Sequence, residues 1–311
     1  MESVSVGRLP EWFRQEIPRD ISLIKNRIRE FEEAGLNTVC KSARCPNLGG
    51  CFQANSVTFM IMGDSCSRNC SFCAVNKSWP RPLDLSEPYK LALTIRKLGL
   101  EYIVLTSVTR DDLTFGGASH YVRCVRLIQS LNPGKKIELL IPDFRNDTRA
   151  LELVIGSRPD IIAHNLETVE SLYLRVRPLA GGFGKGKPNH GPLASYQGSL
   201  EVLKKIKELG FAGWTKSGIM LGFGESEEEV LKALADLKKA DCDILTLGQY
   251  LAPSPRHFPV QEFIPPEKFE FYKDKAQELG FKAVSSGPLV RSSYRAGEVY
   301  KEVDASGFPP A

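Results

Sequence analysis

Short runs of β-branched and other apolar residues alternate with amphipathic stretches along the chain after Ser56. Apolar runs of this length, bounded by turn residues and separated by helix-like stretches, are typical of strands in a parallel sheet. The predicted strands, named by their first residues, are VTFMIM from Val57, YIVLTS from Tyr102, IELLIP from Ile137, DIIAHN from Asp160, TKSGIML from Thr215, DILTLGQY from Asp243 and FKAVSS from Phe281. Six or seven such units close most of a barrel, so the predicted fold is α/β, a partial (β/α)6-type TIM barrel with N- and C-terminal extensions.

The stretches between the strands have the periodicity of amphipathic helices and carry residues that begin and end helices. Three examples are YKLALTIRKLGL, SLEVLKKIKELG and SEEEVLKALADLKKA. The last begins with Ser226 and has Glu229 three residues on, which predicts a capping box. Glycines that follow a leucine at Gly99, Gly210 and Gly280 are predicted to end their helices at the C′ position.

Length and composition limit the domain organisation and the class of protein. The chain has 311 residues, 42% hydrophobic and 25% charged, enough for one large barrel core. We expect an N-terminal extension over 1–55, a barrel over 56–285 and a C-terminal extension over 286–311. No apolar run approaches the roughly 18 residues of a membrane span. The net charge of +4 is slight and the cations are interleaved with anions, so no nucleic-acid surface is predicted; the absence of heptads favours a monomer.

Polar residues and glycines are predicted at the ends of most strands. Active sites of βα barrels lie at the carboxyl ends of the strands, so this distribution predicts a lined cavity there. After the second strand, Gly116 and Gly117 would let backbone groups approach a ligand closely, although a solvated turn explains them equally well. The other polar residues at strand ends are Arg110, Asp111, Asp112, His164, Asn165, Glu167, Lys216, Ser217, Gln249 and Tyr250.

Three cysteines follow the first predicted strand at the spacing C-x3-C-x2-C, as Cys66, Cys70 and Cys73 in CSRNCSFC. A [4Fe–4S] cube normally takes four thiolates, one on each iron. Three cysteines therefore leave one iron open to an outside ligand. A structural zinc site is the alternative, but such sites pair one CxxC with a second CxxC or with two histidines, and no such pair follows.

A second trio, Cys40, Cys45 and Cys51, precedes the first strand at the spacing C-x4-C-x5-C. A disulfide framework suits small secreted domains, whereas this chain is long and begins without a secretory or transit pattern, so we expect a reducing cytoplasm. The two remaining cysteines, Cys124 and Cys242, lie in apolar contexts and are predicted to be ordinary buried thiols.

The C-x3-C-x2-C spacing, with Phe72 before the last cysteine, resembles the signature of the radical S-adenosylmethionine (SAM) superfamily. In that superfamily the amine and carboxylate of SAM chelate the open iron, and reduction releases a 5′-deoxyadenosyl radical. An ordered series of segments from residue 8 to residue 297 resembles the successive motifs of the lipoyl synthase family. The segments are TVCKSARCPN, TFMIMGDSCSRNCSFCAV, LTSVTRDDL with GGA, HNLETV, VRP, TKSGIMLGFGE, LTLGQYLAPS with HFPV, and SGPLVRSSY.

The resemblance implies a reaction and a set of cluster ligands. Lipoyl synthases insert two sulfur atoms at C6 and C8 of an octanoyl chain on a carrier-protein lysine. The trio of Cys66, Cys70 and Cys73 would hold the SAM-cleaving cluster, and the trio of Cys40, Cys45 and Cys51 would hold an auxiliary [4Fe–4S] cluster consumed as the sulfur source. Its fourth ligand would be Ser293, with Ser292 as the fallback. A serine oxygen is a poorer ligand for iron than a thiolate and is therefore more easily released.

The resemblance also implies cofactor contacts and partners. Arg291 would close the active site or contact the cluster region; a surface ion pair is the alternative. The expected partners are octanoylated carriers, namely the lipoyl domain of dehydrogenase E2 subunits and the glycine-cleavage H protein, and an electron donor such as ferredoxin or flavodoxin. The residues expected to contact SAM are Phe72, Gly116, Gly117, Asn165, Glu167, Lys216, Gly222 and Gly224.

The chain departs from the family pattern in two places. Gly50 and Phe52 flank Cys51 where an acidic residue and a tryptophan are common, and the segment Leu179–Gly198 is longer than usual. The Gly, Lys and Pro content of that segment predicts a disordered insertion; a basic contact with an acidic carrier is the alternative. Two other functions stay open: another radical SAM enzyme with an auxiliary cluster, and a metal-stabilised module without catalysis.

Overall fold

The computed structural model of the chain describes residues 9–14, 21–178, 194–305 and 307. Most of the predicted insertion, residues 179–193, lies outside the described residues. The strands are β1 (Asn37–Thr38), β2 (Thr58–Ile61), β3 (Ser65–Cys66), β4 (Asn76–Lys77), β5 (Tyr102–Ser107), β6 (Lys136–Leu140), β7 (Ile161–Ala163), β8 (Trp214–Leu221), β9 (Ile244–Gln249) and β10 (Ala283–Gly287).

Helices fill most of the connections between these strands, and short 3-10 turns occur at Glu11–Phe13, Thr114–Gly117, Phe144–Asn146 and Glu170–Leu172. The α-helices are α1 (Ile21–Glu33), α2 (Val39–Ser42), α3 (Leu48–Gln53), α4 (Glu87–Leu98), α5 (Ala118–Leu131), α6 (Thr148–Gly156), α7 (Tyr173–Val176), α8 (Tyr196–Glu208), α9 (Glu227–Lys239), α10 (Pro266–Glu278) and α11 (Ala296–Ala305).

One curved sheet organises the molecule, with the strand order β1-β2-β5-β6-β7-β8-β9-β10. Strand β1 is antiparallel to β2, and all the later neighbours are parallel. In the described part of the chain no pairing joins β10 back to β1 or β2, so the barrel stays open on that side. The seven parallel strands are the seven predicted from the sequence, and the predicted partial barrel is confirmed.

The outer faces of the strands pack against helices in two apolar clusters. One joins β2, β5 and β6 to α4, α5 and α6, and the other joins β8 and β9 to α8, α9 and α10. A third, smaller cluster covers the first residues of the strands, where Val299, Tyr300 and Val303 of α11 pack on Trp214 and Ile244. Helix α11 therefore closes the amino-terminal end of the barrel, and the opposite end is left to the loops.

The capping box and the helix-ending glycines form as the sequence predicts. The Ser226 hydroxyl accepts from the Glu229 backbone N–H, and the Glu229 carboxylate accepts from the Ser226 backbone N–H, which completes the capping box. Gly99, Gly210 and Gly280 follow their helices with positive φ angles of 60°, 76° and 89°. Among the described helices, none has both the length and the apolar character that crossing a membrane requires.

Candidate active site

Strand β2 separates the two cysteine trios. Because β1 runs antiparallel to β2, with Thr38 opposite Phe59, the chain brings Cys40 beside Thr58 at the start of β2. The C-x3-C-x2-C loop begins after the other end of the strand. Four strand residues rise by about 3.3 Å each, which puts on the order of 10 Å of strand between the two trios. The barrel interior lies between them.

The thiols of Cys66, Cys70 and Cys73 converge closely enough to influence one another. Burial raises the pKa of Cys73 to about 12, and the neighbouring Cys70 and Cys66 thiols raise it further. Burial also raises the pKa of Cys70, against the opposing effect of the Arg177 guanidinium. With raised pKa values, the Cys70 and Cys73 thiols hold their protons until a cation replaces them, because thiolates are the metal-binding form. The trio therefore fits an iron–sulfur cluster.

Arg68, in the middle of the CSRNC loop, fixes that loop to two strand ends. Its Nε and Nη2 atoms donate to the two carboxylate oxygens of Asp111 at 2.9 and 3.0 Å. Its Nη1 and Nη2 atoms donate to the two oxygens of Asp143 at 2.5 and 2.6 Å. Burial alone would raise the pKa of Asp143, but the hydrogen bonds from Arg68 hold it well below its usual value. Arg68 is thus a buried cation bound by two carboxylates, those of Asp111 and Asp143.

The other side of the loop is held by the HFPV segment and by the end of α7. The Phe258 backbone N–H donates to the Ser71 carbonyl at 3.0 Å, and the Ser71 N–H donates to the Val176 carbonyl at 2.9 Å. His257 Nε2 lies 3.2 Å from the Cys73 carbonyl. Since a carbonyl only accepts, His257 Nε2 carries the proton.

Glu167 and Arg177 lie beside the first trio. Burial raises the pKa of Glu167, and Arg177 opposes the rise. Arg177 Nη1 donates to the Tyr173 hydroxyl at 2.6 Å, whereas its buried Nε has no hydrogen-bond partner among the described residues. Buried donors are normally satisfied, so an unpaired one next to the thiols fits a further acceptor such as the carboxylate of SAM.

The second trio converges in the same way. Burial raises the pKa of Cys40 to about 11, and the Thr58 backbone N–H that faces the thiol opposes the rise. Burial raises the pKa of Cys51 to about 12, with further contributions from Cys40 and Cys45. In the part of the chain that the structure describes, no three His, Cys, Asp or Glu side chains are placed to hold one single metal ion. A cube differs because each thiolate binds its own iron.

The C-terminal extension brings the two predicted serines to different centres. The Thr58 hydroxyl donates to Ser293 Oγ at 2.7 Å, which places Ser293 beside the second trio. Ser292 Oγ donates instead to Asn165 Oδ1 at 3.0 Å, beyond the end of β7. Arg291 is near the second trio as well. Burial lowers the pKa of its guanidinium group, and the nearby Cys45 thiol acts in the opposite direction.

Three of the four predicted cofactor glycines make close contacts with the protein itself. A Cβ added to Gly116 would lie 2.9 Å from Phe144 Cδ1, and one added to Gly117 would lie 2.3 Å from Met62 Sδ. A Cβ added to Gly222 would lie 2.1 Å from Gln249 Nε2. Gly224 has a φ of +99°, and a Cβ there would make only an ordinary contact of 3.4 Å with Gln261. Gly116, Gly117 and Gly222 therefore permit tight packing of loops behind the cavity.

The GFGE turn is held by its own glutamate and stands next to Phe72. The Glu225 carboxylate accepts from the backbone N–H groups of Gly222 and Phe223 at 2.5 and 2.9 Å. The Phe72 and Phe223 ring centroids are 6.4 Å apart, and Phe223 stacks on Tyr250 at 4.2 Å. Phe72 thus joins an aromatic wall beside the first trio.

Lys216 is placed away from the cysteine loop, near the start of β8. Its Nζ donates to both oxygens of Glu138 at 2.8 and 3.0 Å, and the Tyr102 hydroxyl donates to the same carboxylate at 2.7 Å. The Lys216 side chain is 1% exposed and that of Glu138 is fully buried. The structure does not bring Lys216 to the other predicted cofactor residues.

The sequence interpretation missed several residues that shape the site. Arg68 and Arg177 lie inside segments quoted for the family resemblance, but nothing in their spacing reveals their partners. The separation between Arg68 and Asp143 is 75 residues, and that between Thr58 and Ser293 is 235 residues. Contacts of this range depend on the strand order, which a single sequence does not encode in any local signal.

Comparisons with known proteins agree with this geometry. A family model described as the radical SAM superfamily matches residues 60–237. A lipoyl synthase of Caldanaerobacter subterraneus subsp. tengcongensis is 49% identical over 290 residues, covering 93% of this chain and 96% of the relative. One of Caldicellulosiruptor bescii is 48% identical over 293 residues, covering 94% and 96%. The crystal structure of methylornithine synthase (PylB) matches with a TM-score of 0.52 at 17% identity, covering 81% of this chain and 82% of that one, and shows the same fold.

The partial barrel and the C-x3-C-x2-C loop at its strand ends define a radical SAM enzyme. Within that superfamily the chain belongs to the lipoyl synthase family. Its activity is therefore that of a radical SAM enzyme that inserts sulfur, and its cofactors are SAM and [4Fe–4S] clusters, as the sequence predicted.

Proposed function

We propose that the chain inserts sulfur at C6 and C8 of an octanoyl group attached to a carrier-protein lysine. The observation that carries this proposal is the placement of two cysteine trios at opposite ends of β2, with Ser293 beside the second. When bound, one cluster with SAM would supply a radical able to abstract hydrogen from an unactivated carbon, and the other would supply sulfur. Side-chain acids and bases cannot functionalise such a carbon by proton transfer.

Cys66, Cys70 and Cys73 hold the first cluster and leave one iron for SAM. Arg68 keeps their loop in place by binding Asp111 and Asp143 at the ends of two neighbouring strands. A ligand loop fixed in this way would keep its orientation when SAM binds. Fixed positions of the reacting groups would lower the barrier to hydrogen abstraction.

Asn165, Glu167 and Phe72 are the residues we propose to contact SAM directly. They are grouped around the first trio, and the unpaired Nε of Arg177 supplies a donor that the sequence did not suggest. Gly222 and Gly224 shape the turn behind Phe72. We propose that Gly116, Gly117 and Lys216 contribute through packing, since protein atoms occupy the space next to each of them.

Cys40, Cys45, Cys51 and Ser293 hold the second cluster. The support for Ser293 over Ser292 is its hydrogen bond with Thr58, whose backbone N–H faces the Cys40 thiol. An oxygen ligand among soft thiolates is the weak point at which such a cluster can open. We propose three parts accordingly: the extension 1–55 with the three cysteines, the barrel 56–285, and the extension 286–311 with the serine.

The partners follow from the reaction. Lipoyl synthases act on lipoyl-domain proteins, and we propose the lipoyl domain of dehydrogenase E2 subunits and the glycine-cleavage H protein as carriers. We further propose a ferredoxin or flavodoxin as electron donor, a monomer as the working state and the cytoplasm as the compartment. The eight cysteines are free thiols in the structure, which suits a reducing compartment.

A comparison of two cysteine variants tests the proposal. Anaerobically reconstituted protein is supplied with SAM, a reductant and an octanoyl-lysine peptide, and both 5′-deoxyadenosine and the mass of the peptide are followed. We expect Cys66→Ala to abolish 5′-deoxyadenosine, and Cys40→Ala to form it without adding sulfur to the peptide. Each variant should keep about four of the eight irons of two cubes. Sulfur insertion by Cys40→Ala would contradict the assignment of the second trio.

A further inference from the structure

The segment Leu289–Ser293 passes from the end of β10 to the second trio and is fixed along its length. The Leu289 carbonyl accepts from Asn47 Nδ2 at 2.6 Å, within the CPN motif. The Val290 backbone N–H donates to the Gly287 carbonyl at 3.1 Å. With the hydroxyl contacts of Ser292 and Ser293 described above, the segment is tied to four separate parts of the fold.

The closest of its contacts is made with Gly248 in β9. A Cβ built on Gly248 would lie 2.0 Å from the Val290 carbonyl oxygen and 2.9 Å from its carbonyl carbon. The same carbonyl accepts from Arg291 Nη1 at 2.6 Å, and Val290 is itself buried. Backbone atoms cannot swing aside as a flexible side-chain end does, so any side chain at position 248 must displace the segment.

The backbone conformation gives no other reason for a glycine at this position. Gly248 is an ordinary strand residue, paired in register with Met220 on β8 and with Gly287 on β10, and its φ is outside the left-handed region. Glycine inside a strand lacks a side chain to pack and often marks the close approach of another backbone. Here that backbone belongs to Val290, three residues before Ser293.

We propose that Gly248 is a positioning residue for Ser293. Because Gly248 has no side chain, the Val290 carbonyl occupies the space next to it, and we call this space the seat. The position of the carbonyl in the seat determines where the following residues reach the second trio. The proposal rests on the proposed function only in taking Ser293 as the cluster ligand. A Cβ at Gly248 would meet Val290 and Arg291, so its effect on Ser293 is transmitted through the segment.

Limited proteolysis tests the seat without any reference to catalysis. In the folded protein Arg291 is half-buried and its neighbours Leu289, Ser292 and Ser293 are held by hydrogen bonds, so trypsin should cleave after it slowly. We expect Gly248→Ala to raise the cleavage rate at Arg291 about tenfold, which corresponds to about 1.4 kcal/mol of easier local opening. Gly50→Ala is the matched control, because a Cβ there meets nothing within 4 Å although the residue adjoins Cys51. An unchanged rate in Gly248→Ala would overturn the proposal.

Spectroscopy of the second cluster gives the complementary readout. Reconstituted Gly248→Ala should show the altered Mössbauer signature of Ser293→Ala while still forming 5′-deoxyadenosine from SAM, and the double variant should add nothing further. A wild-type signature in Gly248→Ala, with an altered one in Ser293→Ala, would overturn the proposal. If proteolysis is faster and both variants keep the wild-type signature, the seat is supported and the ligand assignment fails instead.

Ser292→Ala keeps the proposal testable if Gly248→Ala does not fold. It loosens the same segment by removing the hydrogen bond to Asn165, without any steric overlap. We expect the cleavage rate at Arg291 to rise about threefold over that of the unsubstituted protein, because one hydrogen bond that holds the segment is lost. No change in Ser292→Ala would show that the segment is not held by these contacts and would overturn the proposal.

Discussion

Two adjacent serines at the C-terminal extension have different partners. Residues 292–295 form a turn, which directs the Ser293 hydroxyl to Thr58 and the Ser292 hydroxyl to Asn165. Thr58 stands at the start of β2, next to the second trio, whereas Asn165 follows β7 and belongs to the proposed SAM contacts. At the scale of single residues, these contacts support the predicted ligand Ser293 over the fallback Ser292.

Alanine substitutions distinguish the two serines. Ser293→Ala removes a proposed cluster ligand, and we expect sulfur insertion to fall by at least about 100-fold while 5′-deoxyadenosine still forms. Ser292→Ala removes a supporting hydrogen bond only, and we expect a loss of about tenfold or less. Mass spectrometry of both products in one reaction measures the two effects together. The reverse ranking of the variants would make Ser292 the ligand.

Arg68 provides a test of how the cysteine loop is held. Its side chain is 9% exposed and that of Asp143 is 7% exposed, so removing one partner leaves a buried charge without compensation. We expect Arg68→Gln to lower the free energy of unfolding by about 3–5 kcal/mol. Denaturation by urea measures this value.

The control for Arg68 is a double-mutant cycle with Asp143→Asn. Because the two side chains interact directly, the double variant should lose less stability than the sum of the single variants. Strict additivity would show that the pair is not coupled and would remove the argument that Arg68 fixes the loop through Asp143.

At the scale of elements, the strands and helices with strong local signals were predictable. The seven parallel strands are rich in β-branched residues, and α9 carries a capping box, so their existence followed from composition and spacing. The two-residue strand β1 was not predictable, because Asn37 and Thr38 form it only by pairing with Met60 and Phe59. That pairing is what carries Cys40 to the start of β2.

The candidate site was predictable to a smaller extent. The six cysteines stand out through their spacing and through resemblance to a family, whereas Ser293 stands out through the resemblance alone. The placement of Gly116, Gly117 and Lys216 was not accessible, since it depends on side chains from distant strands such as Glu138. A polar residue in a strand gives no local sign of whether it faces a ligand or a buried partner.

An experiment on Lys216 distinguishes a role in binding SAM from a role in stabilising the fold. Because its ammonium group is fully buried against Glu138, we expect Lys216→Met to destabilise the protein by about 3–5 kcal/mol and to leave the affinity for SAM unchanged. Urea denaturation and equilibrium binding of SAM measure the two quantities. The double variant Lys216→Met with Glu138→Leu should recover much of the stability, since an apolar pair of similar size replaces the ion pair. A weakened affinity for SAM at unchanged stability would restore the cofactor role.

At the scale of the whole molecule, the arrangement separates two tasks along one strand. The first trio stands beyond the end of β2, the second stands at its start, and the barrel interior between them is closed below by α11. The open edge between β10 and β1 is the side on which Leu289–Ser293 passes to the second trio. A substrate carbon held in the interior would lie between the two clusters. The cluster at the first trio, with SAM, would remove hydrogen, and the cluster at the second trio would provide sulfur.

The central claim is that sulfur comes from a cluster held by Cys40, Cys45, Cys51 and Ser293. The most direct measurement is a single turnover with protein whose clusters were rebuilt with isotopically heavy sulfide, in a medium that contains only light sulfide. If the sulfur comes from this cluster, the octanoyl-lysine product will carry heavy sulfur at both positions. Light sulfur in the product, or 5′-deoxyadenosine without any sulfur-bearing product, would contradict the claim.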